Sequence, residues 1–184
     1  MNKLKKIIRV IHRAIIKLIS YFNNSLYMRL YTKFLSKNGM NIGENLYIAN
    51  NVYFDGSDYS LITLGDFVGI SRDVILLTHD FSMNTVFRDL EFVGKKHLEN
   101  QYKKNKLLVL KPIEIERNSF IGCSCIILQG THIGRNCLIG AGSVVKGNIP
   151  DNSVVIGNPA RIIAKTDEWL TTKSKNFEEE MKQV

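Results

Sequence analysis

The sequence predicts an all-β core, a single parallel β-helix of stacked six-residue units, with an amphipathic helix before it, a long loop let into it and a short helix after it. Three observations predict this. Aliphatic residues recur every six positions over most of the chain. That register breaks twice, once briefly and once at length. The N-terminal stretch is instead periodic at three and four. The expected units are a basic amphipathic helical arm over 1–38, the β-helix over 39–165 with a loop insertion at about 80–111, and a C-terminal helix over 166–184.

The six-residue period is unbroken from residue 115. Ile115, Ile121, Ile127, Ile133, Ile139 and Val145 each open a hexad, and Gly122, Gly134 and Gly140 follow three of them. The same register appears earlier at Ile42, Ile48 and Phe54, and again at Leu64, Ile70 and Leu76, with Gly43 and Gly65 after two openers. A period of six fits neither an α-helix nor a plain strand. It fits a chain that makes a short strand, turns a corner and repeats, so that openers fill an axis and successive coils stack in parallel. The fifth position of the hexads is mostly small: Ser119, Cys125, Thr131, Cys137 and Ser143. Cys125 and Cys137 therefore read as packing residues, since a free cysteine behaves as a small hydrophobe.

A chain of 184 residues, 45% apolar and 23% charged, has room for one domain with a real core. Its formal net charge of +8 is uneven. Of 25 Lys and Arg, nine lie in residues 1–37, which hold no Asp or Glu; the other 16 nearly balance the 17 acidic residues. Basic character thus belongs to the arm, which argues against a nucleic-acid-binding body. Three closely grouped cysteines, Cys123, Cys125 and Cys137, do not make a secreted disulfide framework, and the expected setting is the reducing cytoplasm. No second cysteine pair at ligand spacing accompanies Cys123 and Cys125, so no metal site is expected there.

In the arm, Leu4, Ile7, Ile8, Ile11, Ile15, Leu18, Ile19 and Phe22 form one face, and Lys6, Arg9, Arg13 and Lys17 the other. Charges interrupt the run too often for a membrane span, and there is no small-residue cleavage site. Two readings follow from the same pattern. Either the apolar face packs on the body or a neighbouring subunit with the cations solvated, or residues 1–22 lie on an anionic membrane at the inner face of the cell membrane.

The first break inserts a few residues around Asp55, Gly56, Ser57 and Asp58. The second, from Leu76 to Ile115, is polar, basic and aperiodic. Loops of that length in a compact domain are usually functional or disordered. Phe81, Phe87, Phe92 and Tyr102 argue for an ordered arm over a cleft, with Lys103, Lys104 and Lys106 solvated at its end. His79 opens this segment, where a regular coil gives way to a loop, a suitable place for a rigidly held catalytic group. Of the other histidines, His12 is in the arm, His97 in the insertion, and His132 at an outward position of its hexad.

The repeat, aliphatic–Gly–x–x–small–x, strongly resembles that of the hexapeptide-repeat acyltransferases over residues 40–165. The segment LLTHDF resembles the Thr-His-Asp run of their sugar O-acetyltransferase branch, the maltose and galactoside acetyltransferases. Residues 139–165, IGAGSVVKGNIPDNSVVIGNPARIIAK, carry the signature that ends the helix in acetyl-CoA-using members. The resemblance implies a left-handed triangular coil of three hexads, a homotrimer with sites between subunits, and acetyl-CoA as acyl donor with no metal required. It implies that His79 is the general base, with a carbohydrate acceptor. By the same resemblance Phe120, Cys123, Ala141, Lys146, Gly147 and Arg161 occupy CoA-contact positions, Lys165 adds charge for its phosphates, and Asn51 and Asp58 fall near the acceptor pocket. The expected function is acetyl-CoA-dependent O-acetylation of a surface-polysaccharide unit or its precursor. Acetylation of a streptogramin-like antibiotic or an amino sugar is the alternative, followed by a non-catalytic scaffold. Zinc hydration chemistry on His79, His97 and His132 is disfavoured, because no closely spaced histidine pair is present.

Overall fold

The structure, a computed structural model, describes residues 3–55, 58–86 and 107–181. It opens with two helices, α1 (Lys3–Ile19) and α2 (Asn24–Lys37), which pack on each other. Asn23 caps α2 by accepting from the Leu26 N–H at 2.9 Å. The coils follow. The first holds β1 (Asn41–Ile42), β2 (Tyr47–Ile48) and β3 (Tyr53–Phe54). The second holds β4 (Ile62–Leu64), β5 (Gly69–Ile70) and β6 (Ile75–Leu76). A two-stranded ribbon, β7 (His79–Asp80) with β8 (Val109–Leu110), bounds the long insertion, and a short helix, α3 (Ser82–Val86), follows β7. The third coil holds β9 (Ile113–Ile115), β10 (Phe120–Ile121) and β11 (Ile126–Ile127). The fourth holds β12 (His132–Ile133), β13 (Leu138–Ile139) and β14 (Val144–Val145). The stack ends in β15 (Asn148–Ile149), β16 (Ser153–Gly157) and β17 (Ala160–Lys165), before helix α4 (Thr166–Met181).

Each coil visits three parallel sheets in turn. Sheet A is β1-β4-β9-β12-β15, sheet B runs β2-β5-β10-β13-β16, and sheet C is β3-β6-β11-β14; β17 then folds back antiparallel on β16. The register is that of the hexads. Ile48, Ile70, Ile121, Ile139 and Val155 form one inward column, and Phe54, Leu76, Ile127 and Val145 another, all buried. Alternation along each strand sends the preceding residue outward. These outward columns differ in chemistry. On sheet A they are Asn41, Thr63, Glu114, His132 and Asn148; on sheet C they are Tyr53, Ile75, Ile126 and Val144.

The corners explain the small fifth residues. The buried Ser119 hydroxyl donates to the Gly134 carbonyl at 2.7 Å and accepts from the Cys137 N–H, and the Cys125 thiol donates to the Gly140 carbonyl. Asn118, Asn136 and Asn152 take left-handed backbone angles at successive A-to-B corners and link their side-chain amides in a ladder. Gly122 is required by close approach, since a Cβ there would lie 2.6 Å from the Ala141 nitrogen.

Tyr27, Tyr31, Phe34 and Leu35 of α2 are buried in the same core as the first coil, closing the end of the stack and shielding its edge. The arm corrects one expectation. The apolar face of α1 does not pack on the body with the cations solvated. The body side of α1 holds Ile16, Arg9, Arg13 and Lys17: Arg9 stacks over Tyr59 at 5.5 Å, Arg13 donates to the Tyr59 hydroxyl, and Lys17 lies over Tyr31 at 5.9 Å. Ile7, Ile8, Ile11, Ile15 and Leu18 face outward.

Candidate active site

The site is built at the corner where sheet C gives way to sheet A. Asp55 follows β3, Thr78 and His79 follow β6, Gln129 follows β11, and Lys146 and Gly147 follow β14, so the four groups lie in successive coils along one ridge. Backbone bonds fix the stack: Asp55 N–H donates to the Leu76 carbonyl, Leu77 to Ile127, and Leu128 to Val145. Both ends of the insertion clasp the backbone at His79. β7 pairs with β8, and the Lys111 N–H donates to the Thr78 carbonyl at 3.0 Å.

The chemistry centres on a pair. His79 Nδ1 bonds to Asp55 Oδ2, and the same carboxylate accepts from the Thr78 hydroxyl at 2.9 Å and from the Thr78 N–H at 3.3 Å. Asp55 is only 3% exposed, whereas the His79 side chain is 38% exposed. A buried carboxylate needs such partners. This arrangement places the imidazole proton on Nδ1 and leaves Nε2 as an acceptor toward solvent. Asp80 lies beside the pair. The Ser82 side chain and N–H hold its carboxyl below the usual range, with the charges of Lys146 and His79 adding to the effect. Gln129 donates to Asp80 at 3.4 Å. Lys146 thus belongs to the same charged neighbourhood as His79.

The other sequence-derived candidates lie elsewhere. Cys123 and Ala141 follow strands β10 and β13, at the corner from sheet B to sheet C, and the Cys123 carbonyl accepts from the Gly142 N–H. Asn51 sits on that ridge too, donating to Asp73. Phe120 lies half-exposed on the outer face of sheet B, against Gly69, and Arg161 and Lys165 are exposed on β17. Asp58 caps the 3-10 turn Tyr59–Leu61, accepting from the Ser60 N–H and hydroxyl. Within one chain, then, His79, Lys146 and Gly147 occupy one edge of sheet C, and Cys123, Ala141 and Asn51 the other. Phe87, Phe92, His97, Tyr102, Lys103, Lys104 and Lys106 lie outside the described residues, as do Gly56 and Ser57.

The sequence reading missed Asp55 and Thr78. A carboxylate directly after an inward opener, where the register first breaks, was the available signal. Among the described residues no three His, Cys, Asp or Glu side chains gather as a metal site. His132 is engaged on sheet A by Glu116 at 2.9 Å and Asn148 at 2.8 Å.

Residues 112–146 match the family model described as the hexapeptide repeat of succinyl-transferase. Galactoside O-acetyltransferase of Escherichia coli (strain K12) is 29% identical over 126 residues, 68% of this chain and 57% of its own length. A maltose O-acetyltransferase from Clostridium difficile 630 superposes with a TM-score of 0.55 at 26% identity, covering 86% of this chain and 88% of that one. The chain belongs to the hexapeptide-repeat acetyltransferase family. Its fold is that family's left-handed β-helix. A hexapeptide-repeat acetyltransferase from Vibrio cholerae O1 biovar eltor, solved with acetyl-CoA, shares the fold at 24% identity and a TM-score of 0.56, covering 84% of this chain and 85% of its own. The aligned part of this chain spans 57% of the length of the curated galactoside enzyme.

Proposed function

We propose that the protein transfers an acetyl group from acetyl-CoA to a hydroxyl of a carbohydrate, a surface-polysaccharide unit or its precursor, in the cytoplasm, with His79 as general base. The observation that carries this reading is the His79–Asp55 pair, an exposed imidazole whose Nδ1 is held by a buried carboxylate. His79 Nε2 takes the proton of the acceptor hydroxyl as its oxygen attacks the thioester carbonyl carbon. The tetrahedral intermediate collapses with loss of the CoA thiolate, which receives that proton from the imidazolium. The Asp55 carboxylate favours the transient imidazolium, and no covalent acyl-enzyme is required.

The acyl donor is supported by the acetyl-CoA complex of the Vibrio relative and by exposed cations that offer charge for its phosphates: Lys146 near Asp80, and Arg161 and Lys165 on β17. The carbohydrate acceptor is supported by the galactoside and maltose enzymes among the relatives. The three free cysteines, two of them buried, support the cytoplasmic setting.

A homotrimer with shared sites belongs to the same reading. A closed ring needs two different patches on each subunit. The apolar outward column of sheet C, with Phe120 and Tyr47 exposed on sheet B, supplies them, while sheet A is polar. Such an assembly sets the His79 ridge of one subunit against the ridge bearing Cys123, Ala141 and Asn51 of the next, uniting candidates that one chain separates.

Calorimetric titration with acetyl-CoA, for the full chain and His79→Ala, tests the reading first. About one site per chain in both, followed by acceptor-dependent thiol release lost only in the variant, is expected. The acceptor panel includes galactosides, maltose, amino sugars and a streptogramin. Absence of acetyl-CoA binding by folded protein overturns the proposal.

A further inference from the structure

The surface of α1 is inverted. An amphipathic helix on a globular body ordinarily buries its apolar stripe and exposes its charges. Here the body is gripped by cations. Arg9 and Lys17 lie over the rings of Tyr59 and Tyr31, Arg13 bonds the Tyr59 hydroxyl, and among the described side chains of the helix only Ile16 is buried in the core. The opposite side carries Ile7, Ile8, Val10, Ile11, Ile15 and Leu18, each 49–59% exposed, and Phe22 just beyond the helix is 84% exposed. The stripe runs from Ile7 to Leu18, so it is a continuous apolar strip, not scattered surface residues.

Charge decides what covers it. Residues 1–37 hold nine Lys and Arg and no Asp or Glu, so the charge of the helical hairpin behind the stripe is wholly cationic. Pairing two copies through this strip would bring two such hairpins together. The apolar columns suited to a neighbouring copy lie on sheets B and C, along the sides of the stack, whereas α1 rides on α2 at its first coil. An apolar stripe on a hairpin that carries only cations fits the interface of an anionic bilayer, where the side chains enter the acyl boundary and the net positive charge of the hairpin is drawn to the anionic surface. No helix among the described residues is long and apolar enough to cross a membrane, so the geometry is that of lying on the surface. We infer that α1 is a docking element that seats the protein on an anionic lipid surface through Ile7, Ile11, Ile15 and Leu18. This inference does not depend on the proposed acetyl transfer.

The test is flotation of the full chain with phosphatidylcholine vesicles containing about one third phosphatidylglycerol, beside phosphatidylcholine alone. Ile11→Glu with Ile15→Glu is the stripe variant; both positions are exposed, so the fold is retained. As an insertion reporter, Phe22→Trp is placed in a Trp169→Phe background, which leaves the introduced indole as the sole tryptophan. Expected results are binding to the anionic vesicles that high salt weakens, a blue shift of the reporter's emission, and at least about a tenfold loss of partitioning in the stripe variant. Acetyl-CoA binding and oligomeric mass stay unchanged in that variant. The inference is overturned if the wild-type chain does not float, if the stripe variant floats equally well, or if the variant changes the oligomeric mass. The last result would assign the stripe to a subunit contact.

Discussion

Replacing Asp55 with Asn separates a positioning role from a structural one. The substitution keeps the side chain's size and one acceptor for the Thr78 N–H and hydroxyl, which lie 3.3 and 2.9 Å from Oδ2. It removes the negative charge that faces His79 Nδ1. A hydrogen bond to a charged group contributes about 1.5–3 kcal/mol, and here that contribution grows as the imidazole becomes an imidazolium during acetyl transfer. At about 1.4 kcal/mol per factor of ten, kcat falls roughly 10- to 150-fold. KM for acetyl-CoA changes little, because Asp55 is buried and its carboxylate is engaged by His79 and Thr78. The assay is thiol release under saturating acetyl-CoA, run as a cycle with His79→Ala. If Asp55 acts through His79, Asp55→Asn added to His79→Ala lowers the residual rate no further. Asp55→Asn within twofold of wild type, or an undiminished loss in the His79→Ala background, would refute the reasoning.

Other perturbations test the frame. Gly122→Ala forces a Cβ to within 2.6 Å of the Ala141 nitrogen and 2.8 Å of the Ile139 oxygen, so denaturant unfolding should show a loss of about 1–3 kcal/mol together with weaker acetyl-CoA binding at that corner. Ile121→Ala, fully buried between Ile70 and Ile139, should cost about 2–5 kcal/mol by the same measurement. Lys146→Ala should raise the acetyl-CoA Kd several-fold, about 1 kcal/mol, in calorimetry. His132 carries a raised pKa, first from its bond to Asn148 and then from Glu116, so its contribution is full below about pH 6.5 and is lost as pH rises through the folded value. Because its side chain is 38% exposed, that contribution is only a few tenths of a kcal/mol, seen as the pH-dependent part of thermal stability that His132→Gln removes between about pH 6 and 8.

The fold was legible because the repeat states it many times over. Every opener from Ile48 onward that reads as inward in the sequence is buried on the axis in the structure, Ile42 at the first strand is partly buried, and Ile149 and Val155 extend the same columns by another step. Cys125 and Cys137 were legible as packing for the same reason, since their positions are occupied by Ser and Thr in neighbouring hexads. Placement across the coils was less legible. Linear spacing puts Asn51 28 residues and Cys123 44 residues from His79, but it does not state which corner each hexad position turns, and corners decide which residues share an edge. The direction in which α1 faces was not readable either. A helical wheel fixes which residues share a side, but not whether the body offers apolar side chains or tyrosine rings to meet them.

Asp55 exposes a regularity that the hexad count hides. The short insertion follows β3 and the long one follows β6, and these strands are neighbours in sheet C. Both departures from the repeat therefore leave the stack at the same corner, one coil apart. A loop let out there interrupts no strand pairing, because β4 and β9 still pair in sheet A on the far side of the long insertion. The first loop begins with the buried carboxylate, and the second begins with the imidazole it holds. A hexad interior has no room for such a pair, because its inward positions are filled by apolar side chains and its fifth positions are mostly small. A buried carboxylate that holds an imidazole therefore enters this repeat where the repeat stops. The two breaks in register are thus the positions from which Asp55 and His79 can meet.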